Sequence, residues 1–352
     1  MTATDTSTDG RGDPTESLTT APRGSTYSVL SRQIKQAGLL DRRLGYYAAQ
    51  IALLLTLVAA GVAALVVIGD SWWQLLVAAY FAVLSTQLGF LGHDAGHRQI
   101  FRSARRNYRL GVVLANLGVG FSYGWWVDKH NRHHAHPNDE DKDPDIGAGA
   151  LIFTERQAQA SGRLARVFYR YQAWTFFPLL LLEAVNLRVA SVRYLLTRRD
   201  RARTREGLLI TLHVVAYLAA VFVLLSPGKA LAFVAIHQAL FGLYLGCSFA
   251  PNHKGMPPLS AADNADYLRR QVLTSRNVRG HWLTDFALGG LNYQIEHHLF
   301  PSMPRGNLRR AQQLVKDFCT SQHVPYLETG LISSYAQALR HLDTIGRTTY
   351  AT

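Results

Sequence analysis

Apolar residues in this chain are gathered into four long runs separated by polar segments. The runs cover Tyr46–Ile68, Trp72–Gly92, Gly207–Leu225 and Ala230–Ala250. Each contains about 20 residues, which is the length that a helix needs to cross the hydrocarbon core of a bilayer. Very short polar connectors join the first run to the second and the third to the fourth. The pattern therefore predicts an all-α integral membrane protein with four transmembrane helices arranged in two hairpins.

Two further apolar stretches, Leu110–Trp126 and Trp174–Val185, are shorter or interrupted. The second contains Glu183, which is costly in a bilayer core. If the first crossed the membrane, the histidines on either side of it would lie on opposite faces. We therefore predict that both stretches form interfacial or re-entrant helices.

The charge distribution indicates an orientation for the four spans. All but one of the 37 lysines and arginines lie in segments 1–45, 93–205 and 251–352, and the exception is Lys229, in a connector. Because cytoplasmic loops carry the positive excess, both termini and the central segment are predicted to be cytoplasmic. The net charge of +13 reflects this bias, and the chain has no recognisable nucleic-acid-binding module. Arginine far outnumbers lysine, which favours a GC-rich bacterial genome and hence a bacterial plasma membrane.

The polar ends of the chain complete the predicted organisation. Residues 1–27 are rich in Ser, Thr, Asp and Gly without an apolar run, which is typical of a disordered tail and not of a signal peptide. Residues 28–320 are predicted to form one membrane domain and 321–352 a C-terminal cytoplasmic tail. The central loop and the C-terminal part would then build a cytoplasmic helical cap. The two cysteines give no iron–sulfur pattern and no disulfide framework.

The histidines are concentrated in three clusters, each placed where an apolar run ends or a polar segment begins. The clusters are HDAGH at 93–97, HNRHH at 130–134 and QIEHH at 294–298. Positions i, i+3 and i+4 share one face of a helix, so each cluster can direct its side chains towards one point. The candidate metal ligands in the clusters are His93, His97, His130, His133, His134, His297 and His298.

Seven imidazoles exceed what a single metal ion requires. Imidazole suits zinc, copper, iron and nickel, and zinc normally takes four ligands, so the set fits two metals better than one. Neutral ligands leave the metal pair highly charged, which favours oxidising chemistry, and the membrane supplies a long alkyl chain. Iron is the natural metal for oxygen activation, although the sequence does not exclude others. A membrane metal transporter is the alternative from another class, but it would place histidines along the spans.

The three clusters have the order and spacing HxxxH, HxxHH and QxxHH, and they resemble the histidine boxes of the integral-membrane fatty acid desaturases. The resemblance runs from about Tyr46 to Arg310. Within that family the stretches FAPNHKGM at 249–256 and GGLNYQIEHHLFP at 289–301 resemble the actinobacterial acyl-CoA desaturases. The resemblance implies a di-iron centre that uses oxygen and two electrons to introduce a cis double bond. It also implies His253, just past the fourth span, as an eighth ligand.

Further residues are expected to support this site. The candidates for orienting the imidazoles are Asp94, Asp128, Asn252, Asn292, Gln294 and Glu296, with Asp143 and Asp145 as additional carboxylates. Lys129 and Arg132 flank the second cluster and are candidates for contact with an anionic substrate head group, as are the arginines that follow the first cluster. The role of His281 is left open.

Substrate and electron donor follow from the same resemblance. No His-Pro-Gly-Gly haem motif is present, so electrons are expected from a separate ferredoxin or flavin reductase. The acyl chain is expected to have 16 to 18 carbons, carried by CoA, acyl carrier protein or a glycerolipid, and to be desaturated at carbon 9. The third cluster begins with Gln294, however, and this resembles the front-end desaturases, which act between an existing double bond and the carboxyl end. A fatty acyl hydroxylase or another alkyl oxidase on the same scaffold is a further alternative.

Overall fold

The computed structural model describes residues 25–259 and 266–349. Most of these residues are helical, and a π-helical segment (Val113–Val119) follows α4 directly. The helices are α1 (Thr26–Gln36), α2 (Leu44–Ile68), α3 (Gln74–Gly96), α4 (Ala104–Val112), α5 (Tyr123–Ala135), α6 (Glu155–Gln159), α7 (Arg163–Arg170), α8 (Gln172–Leu180), α9 (Glu183–Thr197), α10 (Arg201–Leu224), α11 (Pro227–His253), α12 (Tyr267–Leu273), α13 (Trp282–Ala287), α14 (Gln294–Leu299), α15 (Arg305–Ser321) and α16 (Leu331–Thr348).

Among the described residues, four helices are long and apolar enough to cross a membrane, namely α2, α3, α10 and α11, and up to six spans result if each of two bent helix pairs counts as one. The predicted hairpins are therefore present, with shifted ends. The helix of the third span begins at Arg201 rather than Gly207, because the Asp200 side chain accepts a hydrogen bond from the Arg203 amide and caps it. The fourth helix continues through Pro251 to His253.

The turns of the two hairpins meet at one end of the bundle. Asp70, between α2 and α3, accepts hydrogen bonds from the Ser226 amide at 2.9 Å and from Lys229 Nζ at 3.0 Å. Ser226 lies in the turn between α10 and α11, and Lys229 lies in the first turn of α11. The other ends of α3 and α11 carry His93 and His253, so both hairpins present their histidines at the end remote from these turns.

Both doubtful apolar stretches are sharply bent, in agreement with the prediction that neither is a straight span. Residues 104–119 and α5 meet at 113°, and α8 and α9 meet at 75°. The first bend contains Gly120 with φ +85°, a conformation that glycine adopts without strain. Buried Glu206 holds this bend, because it accepts hydrogen bonds from Ser122 Oγ at 2.6 Å and from the Gly124 amide at 3.1 Å.

The fold also contains elements that the hydrophobic pattern did not predict. Two short parallel strands, β1 (Asn277–Val278) and β2 (Glu328–Thr329), form a minimal pair, so the cap is not purely helical. The tail predicted to be disordered lies mostly in residues 1–24, outside the described residues. For the last residues of that tail the prediction of disorder is wrong, because α1 begins at Thr26. Leu30 and Ile34 of this helix are fully buried. These side chains join the core formed with α15.

A buried guanidinium joins the end of α11 to the C-terminal helix. The Arg276 side chain is fully buried and donates hydrogen bonds to Pro251 O at 2.5 Å, Ser334 Oγ at 2.7 Å and Gln337 Oε1 at 2.9 Å. Because three polar partners satisfy it, the buried cation stabilises this junction. α16 is therefore packed against the histidine-bearing helix.

Gly242 of α11 tests how tightly the bent α8–α9 pair packs. A Cβ at this position would lie 2.6 Å from Leu180 O and 2.8 Å from Ala184 N, which are backbone atoms that cannot rotate away. We expect Gly242→Ala to lower the free energy of unfolding by about 1–3 kcal/mol through overpacking, measured as a lower melting temperature in detergent. Gly228→Ala, in open space on the same helix, should leave the melting temperature unchanged; equal values for both variants would contradict the packing.

Candidate metal centre

The structure brings all eight candidate histidines together at the ends of four helices. α3 and its C-cap residue provide the first cluster, α5 the second, α14 the third, and α11 ends at His253. Ring nitrogens of one group lie within 4.8 Å of one another, as do those of a second group. The first group is His93, His97, His130 and His297, and the second is His133, His253 and His298.

His134 lies between the two groups. Its ring centroid is 4.5 Å from that of His97 in the first group and 4.2 Å from that of His298 in the second. His134 Nε2 is 3.1 Å from His130 Nε2, which in turn is 2.9 Å from His97 Nε2. The eight imidazoles therefore form one continuous cluster with room for two ligand sets.

Several ring nitrogens in this cluster have no partner within the described protein. The Nε2 atoms of His93, His297 and His298 are buried without a hydrogen bond. His134 Nδ1 and His297 Nδ1 are also buried without a partner, so the cluster contains five such atoms, and each buried polar atom left unpaired costs about 1–3 kcal/mol. Metal cations coordinated by these nitrogens would remove that cost, so the residues present fit a metal centre.

The outward-facing nitrogens of the second group are held by hydrogen bonds. His253 Nδ1 lies 3.0 Å from Thr274 O, and His298 Nδ1 lies 2.9 Å from Gln271 Oε1. Because each acceptor requires a proton on Nδ1, the lone pair of each ring is on Nε2, which faces the cluster. His133 Nδ1 lies 3.0 Å from Asp143 Oδ2 in the same way.

Burial keeps the two histidines of α14 uncharged. Desolvation, together with repulsion from neighbouring histidines, holds the pKa of His297 and of His298 well below its usual range. Both rings are therefore neutral at pH 7, which is the protonation state that coordinates a metal.

Two of the predicted carboxylates are buried and connect the cluster to the cap. Asp94 accepts hydrogen bonds from Arg305 Nε at 2.8 Å and Nη2 at 2.5 Å, and its Oδ1 is 3.4 Å from His93 Nδ1. Glu296 accepts hydrogen bonds from Asn277 Nδ2 at 2.7 Å and Tyr326 OH at 2.8 Å. Burial raises the pKa of Glu296 to about 7. Its role is to hold α14 against β1, since these contacts are not with imidazoles.

The predicted amides differ in their relation to the histidines. Gln294 Nε2 is 2.8 Å from His253 Nε2, so this side chain belongs to the second group. Asn252 is fully buried and donates to Leu291 O at 3.0 Å. Asn292 donates to Asp285 Oδ1 at 2.9 Å and thus supports the loop before α14.

The structure places two predicted site residues elsewhere. Asp128 and Arg132 pair with each other at 3.3 Å on the exposed face of α5, with more than half of each side chain accessible. The physical reason is helical phase. Asp128 lies two positions before His130 and Arg132 two positions after it. Two positions correspond to about 200° around a helix, so both side chains lie on the face opposite His130. Asp128 therefore does not orient an imidazole, and Arg132 is remote from the cavity described below.

Sequence reasoning also missed one supporting residue. Gln271 of α12 is fully buried, bonds His298 Nδ1, and donates its Nε2 proton to His134 O at 2.9 Å. It thus connects the second and third clusters. No motif marks it, because α12 is distant in sequence from both histidines and only the tertiary fold places it there.

A cavity of about 360 Å³ begins at the metal centre and extends between the helices. His93, His130, His133 and His253 form one wall. Its apolar lining includes Phe121, Trp126, Phe176, Phe241, Leu245 and Phe249, and its polar part includes Lys129, Asp145, Glu183 and Lys254. Lys129 forms an ion pair with Asp145 there. The cavity can therefore hold an apolar chain against the histidines and a polar group against the lysines.

Comparison with known proteins agrees with this geometry. Residues 70–330, which include all eight histidines, match the fatty acid desaturase family model. The chain belongs to the fatty acid desaturase family. The desaturase resemblance inferred from the histidine boxes is thus confirmed, and the chain is a member of a family of oxidoreductases.

Several proteins similar to this chain come from plants and animals. The chain is 31% identical over 279 residues to an acyl-lipid (9-3)-desaturase of Physcomitrium patens, covering 76% of this chain and 52% of the relative. An acyl-lipid (9-3)-desaturase of Borago officinalis is 29% identical, and the match covers 90% of this chain and 73% of that relative. The delta(6)-fatty-acid desaturase fat-3 of Caenorhabditis elegans is 30% identical, and the match covers 77% of this chain and 64% of that relative. The chain thus spans about half to three quarters of these relatives, which do not support the predicted closeness to actinobacterial acyl-CoA desaturases.

His134 provides a direct test of the metal centre because it contacts both groups. If the cluster binds iron, we expect His134→Ala to lose most of it, measured by elemental analysis of purified protein, since the His134 ring lies between the two groups. His136→Ala, two residues away at the end of α5, should retain the wild-type iron content. Equal iron in both variants would contradict the assignment.

Gln271 tests whether the hydrogen bonds around the rings tune metal affinity. Gln271→Leu removes the acceptor for His298 Nδ1 and should weaken metal affinity about 10–100-fold. Gln271→Glu keeps an acceptor at this position and should recover most of that loss. The measurement is competition with a chelator of known affinity, and no difference between Leu and Glu would exclude this role.

Proposed function

We propose that this protein is a membrane fatty acyl desaturase that inserts a cis double bond into a long acyl chain at a di-iron centre. The observation that carries the proposal is a cluster of eight imidazoles, four of which line an apolar cavity. A binding or structural protein has no need for that juxtaposition, whereas oxidation of an alkyl chain requires it.

The two groups of histidines would each hold one iron. His93, His97, His130 and His297 would ligate the first, and His133, His253 and His298 the second, with His134 adjacent to both. When bound, the iron pair supplies the oxygen activation needed to remove hydrogen from an unactivated methylene. The protein's own residues hold the imidazoles neutral and oriented, and the apolar cavity excludes water from the reacting carbons.

The polar part of the cavity orients the substrate. Lys254 Nζ donates to Asp145 O at 2.6 Å and lies 4.0 Å from the centre of the Phe153 ring, and Lys129 pairs with the Asp145 carboxylate. We propose that these ammonium groups face the ester end of the acyl chain, which places the chain's methylenes along the histidine wall. Of the residues predicted for the head group, we keep only Lys129 in this role, because neither Arg132 nor the arginines that follow the first cluster are among the described residues that line the cavity.

The third cluster and the relatives support a proposal for the position of the double bond. Gln294 gives that cluster the form typical of front-end desaturases, and the similar proteins include acyl-lipid (9-3), delta(6) and delta(5) desaturases. We therefore propose front-end desaturation of an acyl lipid, in preference to desaturation at carbon 9 of a saturated C16–C18 acyl-CoA. Hydroxylation on the same scaffold is the chemical alternative.

The charge bias supports an orientation for the spans. Lys229 is the single cation assigned to the face of the hairpin turns, so we propose that the metal centre and both termini are cytoplasmic. The arginine-rich composition supports a bacterial plasma membrane. Transport of metal is disfavoured, because the histidines gather at one end of the spans rather than along them.

Fatty-acid profiling tests the function and its position together. The chain is expressed in a bacterium without aerobic desaturation, together with a ferredoxin and its reductase. Cultures receive either saturated or Δ9-unsaturated fatty acids, and double bonds are located by mass spectrometry. We expect an oxygen-dependent double bond on the carboxyl side of an existing one, absent from cells that express His134→Ala at equal level.

Each other outcome decides between the alternatives. A new double bond at carbon 9 of saturated chains would restore the carbon 9 prediction. Hydroxylated chains would move the protein to the hydroxylase alternative. Unchanged lipids with full iron content in the purified protein would reject acyl oxidation of these substrates.

A further inference from the structure

A cleft distinct from the acyl cavity reaches the metal centre at His97. This histidine lines the cleft with Arg98, Arg105, Tyr123 and Asn131, whereas it is not part of the described lining of the acyl cavity. The His97 residue is 9% exposed, and its Nε2 is 2.9 Å from His130 Nε2 inside the cluster. His97 therefore belongs both to the histidine cluster and to the lining of this cleft.

The surface around this cleft is strongly basic. Within the part of the chain that the structure describes, no carboxylate lines the cleft. Five exposed arginines lie on the segment that leaves His97 and enters α4, and none forms an ion pair with a described carboxylate. They are Arg98, Arg102, Arg105, Arg106 and Arg109. Such a set of uncompensated guanidinium groups creates a positive potential that attracts an acidic partner.

We propose that this cleft is the docking site of an acidic one-electron carrier protein, which reduces the metal centre through the exposed edge of His97. The inference rests on the proposed desaturase function, because only a redox centre needs a donor. Per turnover, oxygen accepts four electrons and becomes two waters. Two of these electrons leave the acyl chain with two hydrogens, and two come from two reduced carriers, each oxidised by one electron, while the solvent supplies two protons.

The arrangement favours a protein carrier over a lipid head group. A lipid phosphate could pair with the arginines, but it would have no need of a path to His97. The acyl cavity offers no alternative path, because aromatic and aliphatic side chains line most of it and the substrate fills it. The cleft also includes Pro301 and Ser302, which follow α14 and lie outside the four candidate spans.

The test is a charge reversal at the rim of the cleft. Arg102→Glu with Arg105→Glu, in phosphatidylcholine nanodiscs, should raise the Kd for an acidic plant-type [2Fe–2S] ferredoxin more than about tenfold at low salt. Position 105 lies in the first turn of α4, where the helix dipole favours a negative charge. The substitution to Glu should therefore not unfold this helix. The matched control, Arg163→Glu with Arg340→Glu on α7 and α16, should change Kd less than about twofold.

Turnover separates this inference from the proposed function. In the rim variant the KM for ferredoxin should rise, while turnover with a small uncharged chemical reductant and the iron content stay at wild-type levels. If wild type turns over with neither reductant, the desaturase proposal fails, and ferredoxin binding still tests the cleft. Equal ferredoxin binding by the rim variant and wild type would overturn the docking site. If the rim variant loses only its binding to phosphatidylglycerol vesicles, the arginines bind lipid, and this result would also overturn the docking site.

Discussion

Eight imidazoles buried in one cluster are the constraint on which the rest of this fold depends. Protein groups alone leave several of their nitrogens without a hydrogen bond, and bound metal cations would satisfy them. The backbone contributes to this. His93, His134 and His253 lie in the last turns of α3, α5 and α11, where the helix dipole places partial negative charge. Three helix C-termini thus converge on the place where positive ions are expected to bind.

The surrounding packing keeps these helix ends in position. Buried polar side chains join elements that are far apart in sequence. Glu206 stabilises the bend before α5, and Asp94 of α3 pairs with Arg305 of α15. Arg276 forms hydrogen bonds that join the end of α11 to α16. Each buried charge has several hydrogen-bond partners, as such groups require. Because every histidine-bearing helix has at least one such contact, the positions of the imidazoles are preorganised by the surrounding elements as well as by the candidate spans.

The sequence predicts the parts of this structure that depend on local periodicity. Apolar run length identified the four candidate spans, and i, i+3, i+4 spacing identified the imidazoles that converge. The same helical phase excludes Asp128 and Arg132, which proximity along the chain had suggested. Gln271 and Arg305 could not be found this way, because their roles depend on how α12 and α15 pack. The helical start at Thr26 was missed because a polar composition hides its buried Leu30 and Ile34.

The contact between Asp70 and Lys229 has a consequence for biosynthesis. On the proposed orientation, each hairpin turn must cross the bilayer while the chain is inserted. One turn carries a single negative charge and the other a single positive charge, so neither brings a large electrostatic penalty. Once both have crossed, the opposite charges attract each other at a fixed point. The ion pair therefore favours the alignment in which the two hairpin turns lie side by side.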